Sequence, residues 1–505
     1  MMGTATGNTG VSAFAADRRL PRYELQIGGQ AVPPSTGRYF PSENPYTGEA
    51  WCEVAQGDAQ DVDRAVRSAH EAQNIWSSLI PAERGQALNR LADIVEDKSD
   101  YLGELDCRDN GKTLSELSFQ GRFAAGWFRY YAGLADKLQG AVVPPERPGF
   151  FNFTRYEPLG VIGMITPWNS PILLLANKLA PALAAGNAAV VKPSEFTSAS
   201  TIEFARLCEQ AGLPAGLLNV VTGFGSEAGA ALVEHPGVAK IAFTGSEFGG
   251  QKIYEKAASG LKYVSLELGG KSPNIVFEDA NFEAAVMGAL GGIFSAAGQT
   301  CVAGSRLLVQ RSIHDRLIAR MVEVARGARL GDPMDPNTHI GPIATPPQYE
   351  KVLGYIDIAK EEGAVCMTGG RPSPVGKYFI EPTIFTGVHN QMRIAREEVF
   401  GPVLAVIPFD GEEEAYAIAN DTEYGLAAGV WTSDMARALR ATERIRAGNI
   451  WVNTYRMGGY SLPFGGFKRS GLGREGGIDA IKDFVGAKTV VIGLDPNHAN
   501  PFAMR

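Results

Sequence analysis

Cys301 closes the segment FSAAGQTC (294–301), and LELGGK (266–271) sets Glu267 34 residues before it. A thiol attacks as its thiolate, so a nucleophilic cysteine needs a dipolar surrounding, room for a substrate and a base nearby. The six histidines, at 70, 235, 314, 339, 389 and 498, are scattered. They form no ligand-like cluster, so neither a metal site nor a Cys-His couple is expected, and a carboxylate is the better base. Two plainer readings stand beside this one. A lone cysteine usually fills core space as a small apolar residue, and a glutamate between Leu266 and Leu268 can be a buried structural group. Read together, Cys301 and Glu267 predict covalent catalysis on a carbonyl carbon.

Such a pair must be held by a rigid frame, and the chain supplies the pattern of one. From Gly160 to Phe277, short β-branched runs (VIGMIT, AAVVK, LLNVV, KIAFT, KYVSLEL) alternate with helical patterns over 171–184, 197–211, 226–234 and 247–258. This is the βαβ rhythm of a parallel sheet. A second series follows: NIVF, a helix over 281–297, RLLVQ and a helix over 312–327, then strands near 379–385 and 403–408 and helices near 412–420 and 434–445. The fold class expected is α/β, with two doubly wound units. The proline- and aromatic-rich stretch before Leu159 and the terminal AKTVVIGL read as extended pieces outside both cores, edges that need cover.

Length and charge narrow the functions open to the chain. A chain of 505 residues exceeds what one hydrophobic core serves. Its net charge of −8 is spread among mixed signs, with no basic footprint for nucleic acid. Five cysteines, at 52, 107, 208, 301 and 366, show no CxxC pairing and read as reduced thiols of a cytoplasmic protein. No run reaches the roughly eighteen apolar residues of a membrane span. The first residues are small and polar, and are expected to form a disordered tail over 1–22.

LELGGK followed by GQTC resembles the active-site signatures of the NAD(P)-dependent aldehyde dehydrogenase superfamily, in its hydrolytic form. The resemblance extends through GVIGMITPWNSP (160–171), LAPALAAGNAAVVKPSE (179–195), FTGS (243–246), EEVFGPV (397–403), GNIWVN (448–453) and PFGGFKRSGLGREGG (463–477). It implies two Rossmann-like domains and a small β arm for assembly into a homodimer or homotetramer. The boundaries implied are 23–138 and 159–266 for cofactor binding and 267–447 for catalysis. The arm takes 139–158 and 478–505, and a domain-crossing tunnel segment takes 448–477.

By the same resemblance the cofactor is NAD, with NADP as the alternative. Lys192 and Glu195 match residues on the adenine ribose, where Glu195 would repel a 2′-phosphate. Gly225 and Gly229 allow close approach, and Ser246 meets the pyrophosphate at a helix start. Glu398 and Phe400 match residues that hold the nicotinamide ribose and ring. Ile165, Thr166, Pro167, Trp168, Ser194, Phe243, Thr244, Gly245, Leu268 and Gly269 complete the expected cofactor contacts. Glu247 and Phe248 depart from the commoner Thr-Glu after FTGS. Apart from the family, GFGSEA (223–228) also reads as a weak GxGxxA fingerprint.

For the chemistry, Cys301 attacks the aldehyde, Asn169 and the Cys301 amide hold the oxyanion, and Glu267 activates the water that hydrolyses the thioester. Relatives that pass the acyl group to coenzyme A generally lack that glutamate. Coenzyme A acylation and a cysteine-dependent esterase are the alternatives. Lys178 and Glu475 resemble a proton relay, or else a structural ion pair. The substrate tunnel is expected from Phe123, Trp127, Leu174, Asn177, Thr300, Val302, Met457 and Phe464, with Arg456 as the polar exception that would select a carboxylate-bearing aldehyde.

Overall fold

The structure, a computed structural model, describes residues 20–495 and Phe502. Most of the tail expected over 1–22, and the end of the arm expected over 478–505, lie outside the described residues. Two doubly wound α/β units are present, as the alternating pattern predicts.

The first is an eight-stranded sheet. Its strands run in the order Gly471–Leu472, Tyr263–Glu267, Lys240–Thr244, Val161–Ile165, Ala188–Lys192, Leu218–Val220, Leu25–Ile27, Gln30–Val32. The five strands from Tyr263–Glu267 to Leu218–Val220 are parallel. Helices on both faces bury Val161–Ile165, Ala188–Lys192 and Lys240–Thr244 along their whole length, which is why these read as continuous apolar runs. The chain winds outward from Val161–Ile165, then returns to lay Lys240–Thr244 on its other side. Strand order therefore reverses between these two, and a crevice opens at their carboxyl ends. Register aligns Lys192, Ile165 and Phe243 in one row there, and pairs Thr244 with Glu267.

The second sheet has seven strands: Val365–Thr368, Thr383–Thr386, Val403–Phe409, Arg306–Gln310, Pro273–Val276, Ala427–Trp431, Asn449–Val452. Each sheet has its own apolar core. A third, small cluster of Val302, Leu426 and Ala427 packs against Cys301, Trp451 and Phe464. Outside both cores, Phe150–Pro158 pairs antiparallel with Val485–Gly493 and leaves Phe150, Phe151, Val491 and Ile492 exposed.

Several elements depart from the sequence reading. The helix expected over 281–297 ends at Phe294 and gives way to a tight turn over Ser295–Gly298. Ala296, Ala297 and Gly298 take left-handed backbone (φ 56°, 52° and 69°). At Gly298 a Cβ would also lie 2.1 Å from the Gly401 carbonyl oxygen, so no other residue fits. The helix expected over 226–234 begins as a π turn, Gly225–Gly229, before Ala230–Glu234. The strand expected near 379–385 is Thr383–Thr386. A helix over Pro346–Glu361 and a strand over Val365–Thr368 were not foreseen. Leu25–Ile27 and Gln30–Val32 likewise join the first sheet unforeseen.

Candidate active site

The left-handed turn after Phe294 brings Cys301 to a half-buried position where two cavities meet. One is lined by Pro167, Trp168, Thr244, Ser246, Glu398 and Phe400. The other, of about 770 Å³, is lined by Phe119, Phe123, Thr300, Val302, Arg456 and Met457. Asn169, Leu174 and Cys301 belong to both walls. Burial pushes the Cys301 thiol up to about 12; the carboxylates of Glu267 and Glu398 add to this, and the Arg456 guanidinium opposes it. The resting nucleophile is therefore a neutral thiol.

Glu267 ends the strand Tyr263–Glu267 and is buried. Its Oε2 has no hydrogen-bond partner among the described residues. Desolvation, reinforced by the Glu475 carboxylate, pushes it well above the ordinary carboxylate range; Lys178 and Arg474 pull the other way. Gly465 (φ 152°) passes so close that a Cβ would lie 2.8 Å from Glu267 Oε1. A buried carboxyl oxygen without a partner among the described residues is open to a hydrogen bond from a small molecule. Next to it, Lys178 Nζ donates to Glu475 Oε1 at 2.5 Å and also to the Thr244 hydroxyl, while Asn177 Nδ2 donates to Glu475 Oε2 at 3.4 Å. Asn169 Nδ2 donates to the Gln299 carbonyl at 3.1 Å. That bond fixes the amide beside the Cys301 turn and leaves its second N–H for another acceptor.

Lys192, Glu195, Gly225 and Gly229, expected at the adenine end of the cofactor, are not among the residues lining the first cavity. Lys192 Nζ donates to the Pro193 carbonyl (2.8 Å) and to Glu195 Oε2 (3.2 Å), and its stem runs over Gly229, where a Cβ would sit 3.6 Å from Lys192 Cδ. Gly225 faces open space. Ser246 caps the helix Glu247–Ser259 by accepting from the Gly249 amide at 3.2 Å, leaving the first amides of that helix for an anion. Glu247 is tied to Arg469 and to the Tyr424 hydroxyl, which accounts for a carboxylate so near that anion site. Gly270 N–H donates to Glu398 Oε1 at 2.9 Å, and a Cβ on Gly269 would lie 2.5 Å from Glu398 Oε2. The Thr166 hydroxyl is buried without a partner among the described residues. Pro167, Gly245 and Leu268 also line this cavity; Ile165, Ser194 and Phe243 are buried behind it. Phe400 is held in left-handed backbone (φ 58°) with its ring 5.3 Å edge-on to Trp168. Gln348, which the sequence reading missed, braces that loop by donating to the Val399 and Phe400 carbonyls at 2.8 and 3.0 Å. It lies with Lys351 on the unforeseen helix Pro346–Glu361, and both line the cavity.

Trp127, Asn177 and Phe464 are not among the residues lining the second cavity. Trp127 stacks on Tyr131, Asn177 serves Glu475, and Phe464 packs in the small cluster behind Cys301. Glu116, His339 and Tyr455 line it instead.

Such a site, a cysteine and a carboxylate between two doubly wound sheets, belongs to an oxidoreductase. The sequence profile of the aldehyde dehydrogenase family matches residues 32–490, and the chain belongs to that family. It is 44% identical over 487 residues to aldehyde dehydrogenase family 2 member C4 of Arabidopsis thaliana (95% of this chain, 96% of that one). To betaine aldehyde dehydrogenase of Mesorhizobium japonicum it is 43% identical over 480 residues (94% and 98%). The crystal structure of betaine aldehyde dehydrogenase from Staphylococcus aureus in complex with NAD+ superposes with a TM-score of 0.93 at 37% identity, covering 95% of this chain and 97% of that one. Among the described residues no helix is long and apolar enough to cross a membrane.

Proposed function

We propose that the protein oxidises an aldehyde to the free carboxylic acid with NAD as acceptor. The observation that carries this reading is the position of Cys301 at the junction of a cavity lined by Trp168, Thr244, Ser246, Glu398 and Phe400 and a separate, larger one. Lys192, Glu195, Ser246, Glu398 and Phe400 would hold the cofactor, and Glu195 disfavours a 2′-phosphate by like charge. NAD, when bound, supplies the acceptor for the hydride that leaves the substrate carbon.

The Cys301 thiol gives up its proton to solvent water in the cavity, its sulfur attacks the aldehyde carbon, and the carbonyl oxygen becomes an oxyanion. Its donors are the free N–H of Asn169 and the Cys301 amide; losing one such donor typically costs about 3 kcal/mol of barrier. Once the sulfur is acylated, Glu267 takes a proton from water, which hydrolyses the thioester. Its raised proton affinity suits that task, since a carboxylate that holds a proton more tightly is the stronger base toward water. Glu475 and Lys178, paired beside Glu267, tune that affinity and hold the proton's way out. The strand pair Phe150–Pro158 and Val485–Gly493 serves assembly of a homodimer or homotetramer, covering its exposed apolar face with a second copy.

The test is NADH formation from the purified protein with NAD and a panel of aldehydes, coenzyme A omitted. Steady turnover supports the reading. A single burst that restarts only on adding coenzyme A removes Glu267 from deacylation. Hydrolysis of activated esters with no NADH would make the protein a cysteine-dependent esterase.

A further inference from the structure

Arg456 lines the second cavity together with Cys301. Its side chain is 22% exposed, and its guanidinium makes no hydrogen bond to any described residue. Its ion-pair partner among the described residues is Glu116 Oε1, at 3.7 Å. An arginine carries five N–H donors in a rigid fork, and a largely sheltered one without hydrogen bonds is an unfilled anion site. Glu116 does not neutralise it. The same Oε1 lies 3.7 Å from Lys112 Nζ and accepts from Gln120 Nε2 at 3.3 Å. Lys112 is itself buried, donating to the Ser170 hydroxyl at 3.1 Å. Arg456 and Lys112 thus share one carboxylate; burial draws the proton affinity of Lys112 down, while Glu116 and Asp106 hold it up. His339 is the only other titratable side chain besides Cys301 and Tyr455 among the residues lining this cavity. The wall of this cavity carries an apolar group, Phe119, Phe123, Leu173, Leu174, Val302 and Met457, beside the polar side chains of Thr113, Ser115, Gln120, Ser170, Thr300 and Thr338.

We propose that the substrate is an aldehyde bearing a carboxylate at the far end of an apolar body, with the guanidinium of Arg456 binding the carboxylate while Cys301 attacks the aldehyde carbon. This rests on the dehydrogenase reading above and adds the substrate class to it. Left-handed backbone at Arg456 (φ 60°) fixes where the side chain leaves the loop, so the guanidinium is presented to the cavity rather than free to sweep the surface. The Trp451 indole, donating to the Met457 carbonyl at 2.7 Å, anchors the same loop.

The experiment compares 4-carboxybenzaldehyde with methyl 4-formylbenzoate, near-isosteric aldehydes that differ in charge, following NADH with NAD at saturation. The ratio of their kcat/KM values is the readout. In the unmodified enzyme the acid is favoured. Arg456→Ala should lower that ratio about tenfold or more, chiefly through the KM of the acid, as expected for one lost charge-assisted pair. Arg456→Lys should keep part of the preference. Glu116→Gln should raise the ratio, because it frees both cations; a merely structural role for the pair would not move the two variants in opposite directions. An unchanged ratio in Arg456→Ala, or a lowered one in Glu116→Gln, overturns the proposal. Turnover of the ester without preference for the acid in the unmodified enzyme sinks the substrate class alone, whereas no turnover of either aldehyde sinks the dehydrogenase reading with it.

Discussion

Replacing Lys178 by Met keeps the length of the side chain and removes its charge. Lys178 and Glu475 are 1% and 8% exposed at the side chain and 2.5 Å apart, so the change leaves a carboxylate in the interior with only the 3.4 Å bond from Asn177. Breaking a buried pair from one side costs about 3–5 kcal/mol, while replacing both partners by apolar groups of similar volume is often close to neutral. For a unit of this size, that corresponds to roughly 6–20 °C in melting temperature. The assay is a melting series at one scan rate on Lys178→Met, Glu475→Met and the double variant. The double variant should recover most of the loss seen in either single one. A loss below about 1 kcal/mol in Lys178→Met, or a double variant whose loss equals the sum of the singles, would refute the reasoning. The same variants report on Glu267. Lys178 draws its proton affinity down and Glu475 drives it up, so thioester hydrolysis should rise at higher pH in Lys178→Met and at lower pH in Glu475→Met.

With the Cys301 thiol pushed up to about 12, inactivation of the cofactor-free protein by iodoacetamide should quicken about tenfold per pH unit from pH 7 to pH 10; a plateau below pH 9 would contradict the burial argument. Glu267→Gln should release about one equivalent of NADH per site and then slow by roughly 10²–10⁴-fold; undiminished steady turnover would remove Glu267 from the role of base. Asp106 is buried, and desolvation pushes its carboxyl up to about 8, with the Ser200 hydroxyl and the Ile172 amide opposing. In the unfolded chain the same group releases its proton near pH 4, so the unfolded state binds fewer protons in between and stability falls as pH rises from about 4 to 8. Asp106→Asn should abolish that fall and be more stable by roughly 2–4 kcal/mol at pH 8, with a smaller gain at pH 5. Melting at the two values checks it, and a variant less stable at pH 8 than the parent would reverse the sign.

The two parallel cores were legible because a strand buried on both faces must be apolar along its length, as AAVVK and KIAFT are. The antiparallel additions at the sheet edges were not: Leu25–Ile27 is three residues long and Gly471–Leu472 two, too short for a period to be seen. The helix Pro346–Glu361 was missed because its buried side comes down to Val352, Ile356 and Ala359, a thin stripe. Its start was readable all the same, for Thr345 accepts from the Gln348 amide at 3.3 Å and Pro346 follows at the first helical position. Overlooking that helix hid Gln348 and Lys351 from the cofactor cavity. The turn at Ala296 and Ala297 was illegible for another reason, since alanine gives no local signal for left-handed backbone and only contacts around the turn impose it. The charged trio Lys112, Glu116 and Arg456 joins a helix start to a loop some 340 residues later, a meeting no spacing rule announces.

The two-residue strand Gly471–Leu472 lies beside Leu266 and Glu267 and closes the edge of the first sheet. The two paired segments are separated by 204 residues, which at roughly 5–20 residues per second takes a ribosome about 10–40 s to traverse. Throughout that interval the strand carrying Glu267 is the raw border of an otherwise formed sheet, open to pairing with any neighbouring chain. The newborn protein loses its stickiest edge only in that late event, so a change that keeps Gly471–Leu472 from pairing would be felt first as aggregation.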